Sequence, residues 1–177
     1  ALHKAGLAYV RVPKEVFANR TEMTIALWVN VTTEQAWHRI FDVGVTPNPY
    51  QFRNSETGTK YFNLVPKGAG PSVSNMLFSI STNGYNNEQS ISAPSLAVNV
   101  WKHIALVLAS GGGCRLYVDG NETTFSATVN LRPKDLGNID YAFIGKSRFD
   151  ADPYFDGLVD SFRVYSRARS AAEVTAL

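Results

Sequence analysis

Apolar residues recur at every second position along several short stretches of this chain, the period of half-buried strands rather than helices. The clearest case runs from Phe155 to Tyr165. There Leu158, Phe162 and Val164 share one face, and Asp160 falls among them. An ionised carboxylate on the apolar side of a strand is costly without donors or a cation to compensate it, so the pattern requires a partner for Asp160. Downstream, Ser170 and Glu173 have the spacing of a capping box that opens one short helix. Upstream, strands are expected over residues 7–12 (stopped by Pro13), 24–30, 39–43, 60–65, 75–81, 100–109, 115–118, 125–130 and 141–145. Residues 15–20 suit a loop or a single helical turn, and residues 44–49 a turn. In 24–30, Ile25, Leu27 and Val29 alternate with Thr24, Ala26 and Trp28, which suits a central strand covered on both faces. Asp119-Gly120 is a hairpin signal. Gly111-Gly112-Gly113 reads as a tight connection, because no helix follows it as a phosphate loop would require.

Ten to twelve such strands separated by polar turns predict an all-β fold, a two-sheet antiparallel sandwich. The 177 residues suit a single domain, 1–177, large enough to bury a continuous core. Hydrophobic content of 45% and charged content of 18% are those of an ordinary globular domain. A formal net charge of +2 with scattered basic residues gives no surface for nucleic acid or for a polybasic membrane contact. No apolar run is long enough for membrane insertion, and the chain opens without a signal peptide, as an excised domain would. Cys114 is the single cysteine, so no intrachain disulfide forms. Asn19, Asn30 and Asn121 each begin an N-glycosylation triplet, a pattern that chance also produces.

Two motifs resemble a known family. The stretch FDGLVDSFRVYSRARSAAEV is similar to the terminal signature of the laminin-G-like, concanavalin-A-like jelly-roll superfamily, and VWKHIALVLASGGGCRLYVDGNE to its W-x-H strand and L-Y-V-D-G hairpin. A looser match extends through LAYVRVP, MTIALWVNV and AWHRIFDVG. The resemblance implies a jelly-roll sandwich closed by the short C-terminal helix. Because this fold carries many functions, the sites must be argued separately.

Glucanases of this superfamily align two or three carboxylates at alternate positions of one strand, the geometry of an acid and a nucleophile. Here Asp150 and Asp152 lie in a loop beside Pro153, and Asp156 and Asp160 are four apart. His3, His38 and His103 have no neighbouring nucleophile in sequence. The expectation is a non-enzyme.

Family members often hold a structural calcium with the aspartate that corresponds to Asp160. Calcium takes about six to eight oxygens, however, and the family's acidic segment before the first strand is replaced here by Ala1-Leu2-His3-Lys4-Ala5-Gly6. Two readings stay open for Asp160, a calcium ligand or a carboxylate held by protein donors; Asp42 is a second family-like acid. For glycans, a flat ring for a sugar's C–H face should stand beside Asp, Asn, Arg or Gln. Trp37 with Arg39, residues 50–54, Tyr85 with Asn86, and Arg148, Phe149, Asp152 and Tyr154 offer this combination, although Trp37 and Phe149 could equally cap the ends of the sandwich. The stretch KSRFDADPYFDG resembles modules appended to microbial glycoside hydrolases, including arabinofuranosidase-type enzymes. It implies an extracellular, secreted or cell-surface accessory domain that binds plant or microbial polysaccharide beside a catalytic domain of the same polypeptide. The alternative is a structural or protein-docking domain with no glycan site.

Overall fold

The structure, a computed structural model, describes residues 8–46, 59–68, 75–149 and 151–177. Among the described residues two antiparallel sheets face each other. One has six strands in the order β1 (Val10–Arg11), β10 (Tyr141–Ile144), β3 (Phe41–Val45), β4 (Lys60–Val65), β5 (Asn75–Ser81) and β6 (Gln89–Pro94). The other has five, in the order β11 (Gly157–Tyr165), β2 (Met23–Val31), β7 (Trp101–Leu108), β8 (Cys114–Val118) and β9 (Asn121–Ser126). The expected jelly-roll sandwich is present, and helix α1 (Ala171–Thr175) follows the last strand.

Strand parity builds the core. Ile25, Leu27 and Val29 of β2 and Ile104, Leu106 and Leu108 of β7 point inward from one sheet. Phe41, Val43, Phe62, Leu64, Phe78 and Ile80 meet them from the other. Burying rows of this kind is the main stabilising term of the fold, on the order of 25 cal/mol per Å² of apolar surface. Phe62 makes edge contacts with Phe17 and Phe41 at 5.7 and 6.2 Å between centroids.

Local chemistry sets the boundaries. Asp119 (φ 51°) and Gly120 (φ 77°) both take left-handed conformations, which matches the twist of the β8–β9 hairpin. Their placement starts β9 at Asn121, earlier than the expected 125–130, because this polar edge strand has no apolar alternation to announce it. β6 has no counterpart in the expected set, since only Ile91 and Ala93 point inward. β3 begins two residues later than expected and runs through Val45, so Gly44 and Val45 pair within the sheet and do not turn. The α1 cap forms as predicted: the Ser170 N–H donates to Glu173 Oε2 at 2.9 Å, and Ser170 Oγ accepts from the Glu173 N–H at 3.4 Å.

The expectation that Asp160 lies on the apolar face of its strand is overturned. A β-bulge breaks the β11–β2 register between Asp160 and Arg163, with Ser161 at φ 51°. The extra residue switches parity, so that Val159, Phe162 and Val164 pack on the core while Asp160 is exposed. Its Oδ1 accepts the Ser161 N–H at 2.6 Å, and solvent compensates the rest of its charge. Coverage of β2 on both faces is also incomplete. The segment after β11 buries Thr24 and Ala26 on the outer side, with Val174, Ala26, Ala105, Val107 and Tyr117 forming a small second cluster. Trp28, two residues further, is 40% exposed.

Candidate functional site

The outer face of the six-stranded sheet holds an unusual concentration of polar groups. Strand register places Phe143, Asp42, Asn63, Ser79 and Ser90 in one row across five strands. These positions alternate with core residues, so their polar character is a property of the outer face alone. Asp42, Asn63 and Ser79 are nevertheless buried. Among the described residues the Asn63 Nδ2 and Ser79 Oγ atoms have no hydrogen-bond partner, which is rare for buried polar groups.

Residues 145–149 and 151–155 lie over part of this row. They are tied by the hydrogen bond from the Phe155 N–H to the Gly145 carbonyl, 2.9 Å. The Arg148 N–H donates to Asp42 Oδ2 at 3.0 Å, and the Tyr141 hydroxyl donates to Asp42 Oδ1 at 3.3 Å. Tyr141 reaches this acid across Gly44, where a Cβ would collide with the tyrosine hydroxyl and the Lys60 carbonyl. Arg39 enters from the short segment before β3. Its Nη2 pairs with Asp152 Oδ2 at 3.0 Å and its Nε stands 3.7 Å from Asp42 Oδ2, a Coulombic contact too long for a hydrogen bond. Ser147 Oγ donates to Asp152 Oδ2 at 2.7 Å. Burial raises the pKa of both acids, and the Arg39 guanidinium opposes that rise in each.

Aromatic rings bracket this ion pair. The Arg39 guanidinium carbon lies 5.6 Å from the Trp37 ring and 5.6 Å from the Phe149 ring. Trp37 adopts φ 64°, an uncommon conformation for a bulky residue, and its N–H donates to the Lys67 carbonyl at 3.2 Å. Phe149 meets Tyr61 edge-on at 5.6 Å, and the Tyr61 hydroxyl donates to Glu88 at 2.5 Å. Burial and the Glu88 carboxylate hold the Tyr61 pKa far above its usual value. A second aromatic group stands at the β1–β10 edge, where Lys146 Nζ lies 4.8, 5.3 and 5.9 Å from the rings of Tyr9, Phe143 and Tyr154.

The fold thus gathers Trp37, Arg39 and Asp152 in one cluster with Asp42 beneath it. Tyr154 joins the neighbouring aromatic group. Tyr85 and Asn86 occupy an exposed 3-10 turn between β5 and β6, next to Glu88 but apart from the Arg39 pair. Residues 50–54 and Asp150 lie outside the described residues. Asp160 projects from the other sheet, on the opposite side of the sandwich from Asp42. The two acids do not fit one calcium ion. Asp42 is already held by Arg39, Arg148 and Tyr141, and among the described residues no group of three or more His, Cys, Asp or Glu could hold a metal. Sequence reasoning passed over Tyr61, Asn63, Ser79, Phe143 and Ser147. One usable signal was the amide of Asn63 between the apolar neighbours Phe62 and Leu64.

A laminin-G-type family model described as the concanavalin A-like lectin/glucanases superfamily matches residues 4–175. The chain belongs to that superfamily. Solved structures that share its fold include domain 4 of AbnA, an extracellular arabinanase from Geobacillus stearothermophilus, in complex with arabinotriose; identity is 20% and the TM-score 0.68, over 95% of this chain and 71% of that one. The CBM40 domain of the Ruminococcus gnavus IT-sialidase, bound to α2,3-sialyllactose, matches with 16% identity and a TM-score of 0.72, over 97% and 98% of the two chains. A leech intramolecular trans-sialidase matches at 19% identity with a TM-score of 0.71, over 95% of this chain and 26% of that enzyme. No curated protein matches. Among the described residues, no helix is long and apolar enough to cross a membrane.

Proposed function

We propose that this domain is a non-catalytic carbohydrate-binding module of an extracellular glycoside hydrolase or surface protein, and that it takes plant or microbial polysaccharide on the outer face of its six-stranded sheet. The observation that carries this reading is the Arg39–Asp152 pair, bracketed by Trp37 and Phe149 on the polar row of Asp42 and Asn63. A planar ring offers a sugar's C–H face a stacking surface, and the partly exposed Asp152 carboxylate, fixed by the buried Arg39, accepts from the sugar's hydroxyls. Both acids of the cluster are engaged with the same arginine, an arrangement suited to rigid recognition more than to proton transfer. The fold it shares with an arabinanase domain bound to arabinotriose and with a sialidase CBM40 bound to sialyllactose supports the same reading.

Calorimetry against arabinan, xylan, galactan and β-glucan tests it. One of the four should bind, and Trp37→Ala and Asp152→Ala should each weaken that binding by roughly tenfold, about 1.4 kcal/mol. A folded protein that binds none of them at millimolar sugar would rule the reading out.

A further inference from the structure

The other sheet carries a feature that the site above does not use. On the outer face of the five-stranded sheet, Trp28 is 40% and Trp101 42% exposed. Register pairs Trp28 with His103 and Asn30 with Trp101 on adjacent strands, so the two indoles are diagonal neighbours on one surface. The Trp28 and His103 rings stand 5.4 Å apart at 52°, which fixes one edge of the indole. Beyond Trp28, the bulge in β11 turns Asp160 outward as its cross-strand partner, and Arg163 follows opposite Ala26. Left-handed backbone at Ser161 is what brings these side chains to this face.

These polar groups have few partners of their own. Asp160 accepts only from Ser161, through Oδ1, and the Arg163 guanidinium and the Asn30 amide have no hydrogen bond or ion pair among the described residues. Between Trp28, His103, Ser161, Arg163 and Leu177 lies a notch of about 30 Å³, the size of one water or one hydroxyl group. Flat rings interleaved with a carboxylate, a guanidinium and an amide that have no ion pair among the described residues form a surface for a hydroxylated ring. A protein partner would call for a continuous apolar patch, and C-terminal residues already cover Thr24 and Ala26 beside these rings.

We infer that Trp28 and Trp101, with Asn30, Asp160 and Arg163, form a second saccharide-binding platform on the face opposite the first site. Its ligand is a neutral oligo- or polysaccharide that stacks across both indoles and places a hydroxyl in the notch beside Arg163. Two sites on opposite faces would make the domain bivalent, able to bridge two polysaccharide chains.

The chain has three tryptophans, so Trp37→Phe leaves Trp28 and Trp101 as its only indole reporters. In Trp37→Phe,Asp152→Ala protein, whose first site lacks its carboxylate and carries no indole, titration with soluble xylan, arabinan, galactan and β-glucan should shift the tryptophan emission for at least one polymer. Adding Trp101→Ala or the exposed change Arg163→Gln should weaken that response by roughly fivefold or more, with an unchanged melting curve for Arg163→Gln. No emission response to any of the four polymers overturns the platform, and so does a response that both added variants leave intact. Self-association that Trp101→Ala abolishes, without a glycan response, overturns it and assigns the face to a second copy of the chain. The outcomes separate the two sites, because the parent protein can bind through Trp37 and Asp152 while the platform fails, and the reverse.

Discussion

At the scale of single residues, burial of ionisable groups dominates. His38 is fully buried, its Nδ1 accepts the Asp156 N–H at 3.4 Å, its Nε2 has no partner among the described residues, and its ring lies 5.1 Å from Phe155. Burial pushes its pKa down to about 4, with the Asp156 carboxylate pulling weakly the other way. The unfolded chain takes up this proton near pH 6.5, whereas the folded protein resists it until about pH 4. The stabilising effect of neutral His38 is therefore complete above about pH 6.5 and is lost as the pH falls towards 4, by about 3 kcal/mol in all. Urea unfolding at pH 7.5 and pH 4.5 should show this loss, and His38→Gln should flatten it. Equal pH dependence in the two proteins would acquit His38. Arg39 illustrates the complementary case. It is buried between two carboxylates, and its removal would leave both without their cation, at a cost of roughly 3–5 kcal/mol.

At the scale of elements, β11 shows how one residue redirects a strand. The alternation of Leu158, Phe162 and Val164 is real in sequence, yet the bulge at Ser161 places Val159 on the core in place of Leu158. A serine at φ 51° is held there by the packing on either side of it. Ser161→Gly should raise stability by about 0.5–1 kcal/mol through relief of that conformation, and Ser161→Val should lower it by about 1–3 kcal/mol. Deleting Ser161 would restore simple alternation and expel either Val159 or the Phe162–Val164 pair from the core. Thermal melts of the three variants should rank glycine, wild type, valine, with the deletion lowest. A valine variant as stable as wild type would show that the bulge is not strained.

At the scale of the whole molecule, the two outer faces are chemically distinct. One buries a polar row under residues 145–149 and 151–155, and the other is half covered by the C-terminal residues and half open at Trp28 and Trp101. Because Asp42 and Asp160 lie on opposite faces, no single ion links them. Melting temperatures in excess calcium and in excess EDTA should coincide. A calcium-dependent rise, which linkage puts at about 2.7 kcal/mol at a hundredfold excess over the dissociation constant, would point to a site built from other ligands.

Much of the architecture was legible before any coordinates. Period-two alternation marked β2, β4, β5, β7, β8 and β10, Asp119-Gly120 marked the hairpin, and Ser170 with Glu173 marked the helix cap, because each of these is set by neighbours within a few residues. The pairing of Trp37, Arg39 and Asp152 was legible only as a set of residue types. Their convergence depends on a segment more than a hundred residues from Arg39 folding back across β3 and β4. Asp160 marks the limit of local pattern: its face depends on a bulge whose extra residue looks like any other serine in sequence. The row of Asp42, Asn63 and Ser79, and the diagonal of Trp28 and Trp101, exist only through strand register. Sequence periodicity decides which residues can share a face of one strand, but only tertiary pairing decides which strands lie side by side, and that neighbour relation creates both surfaces.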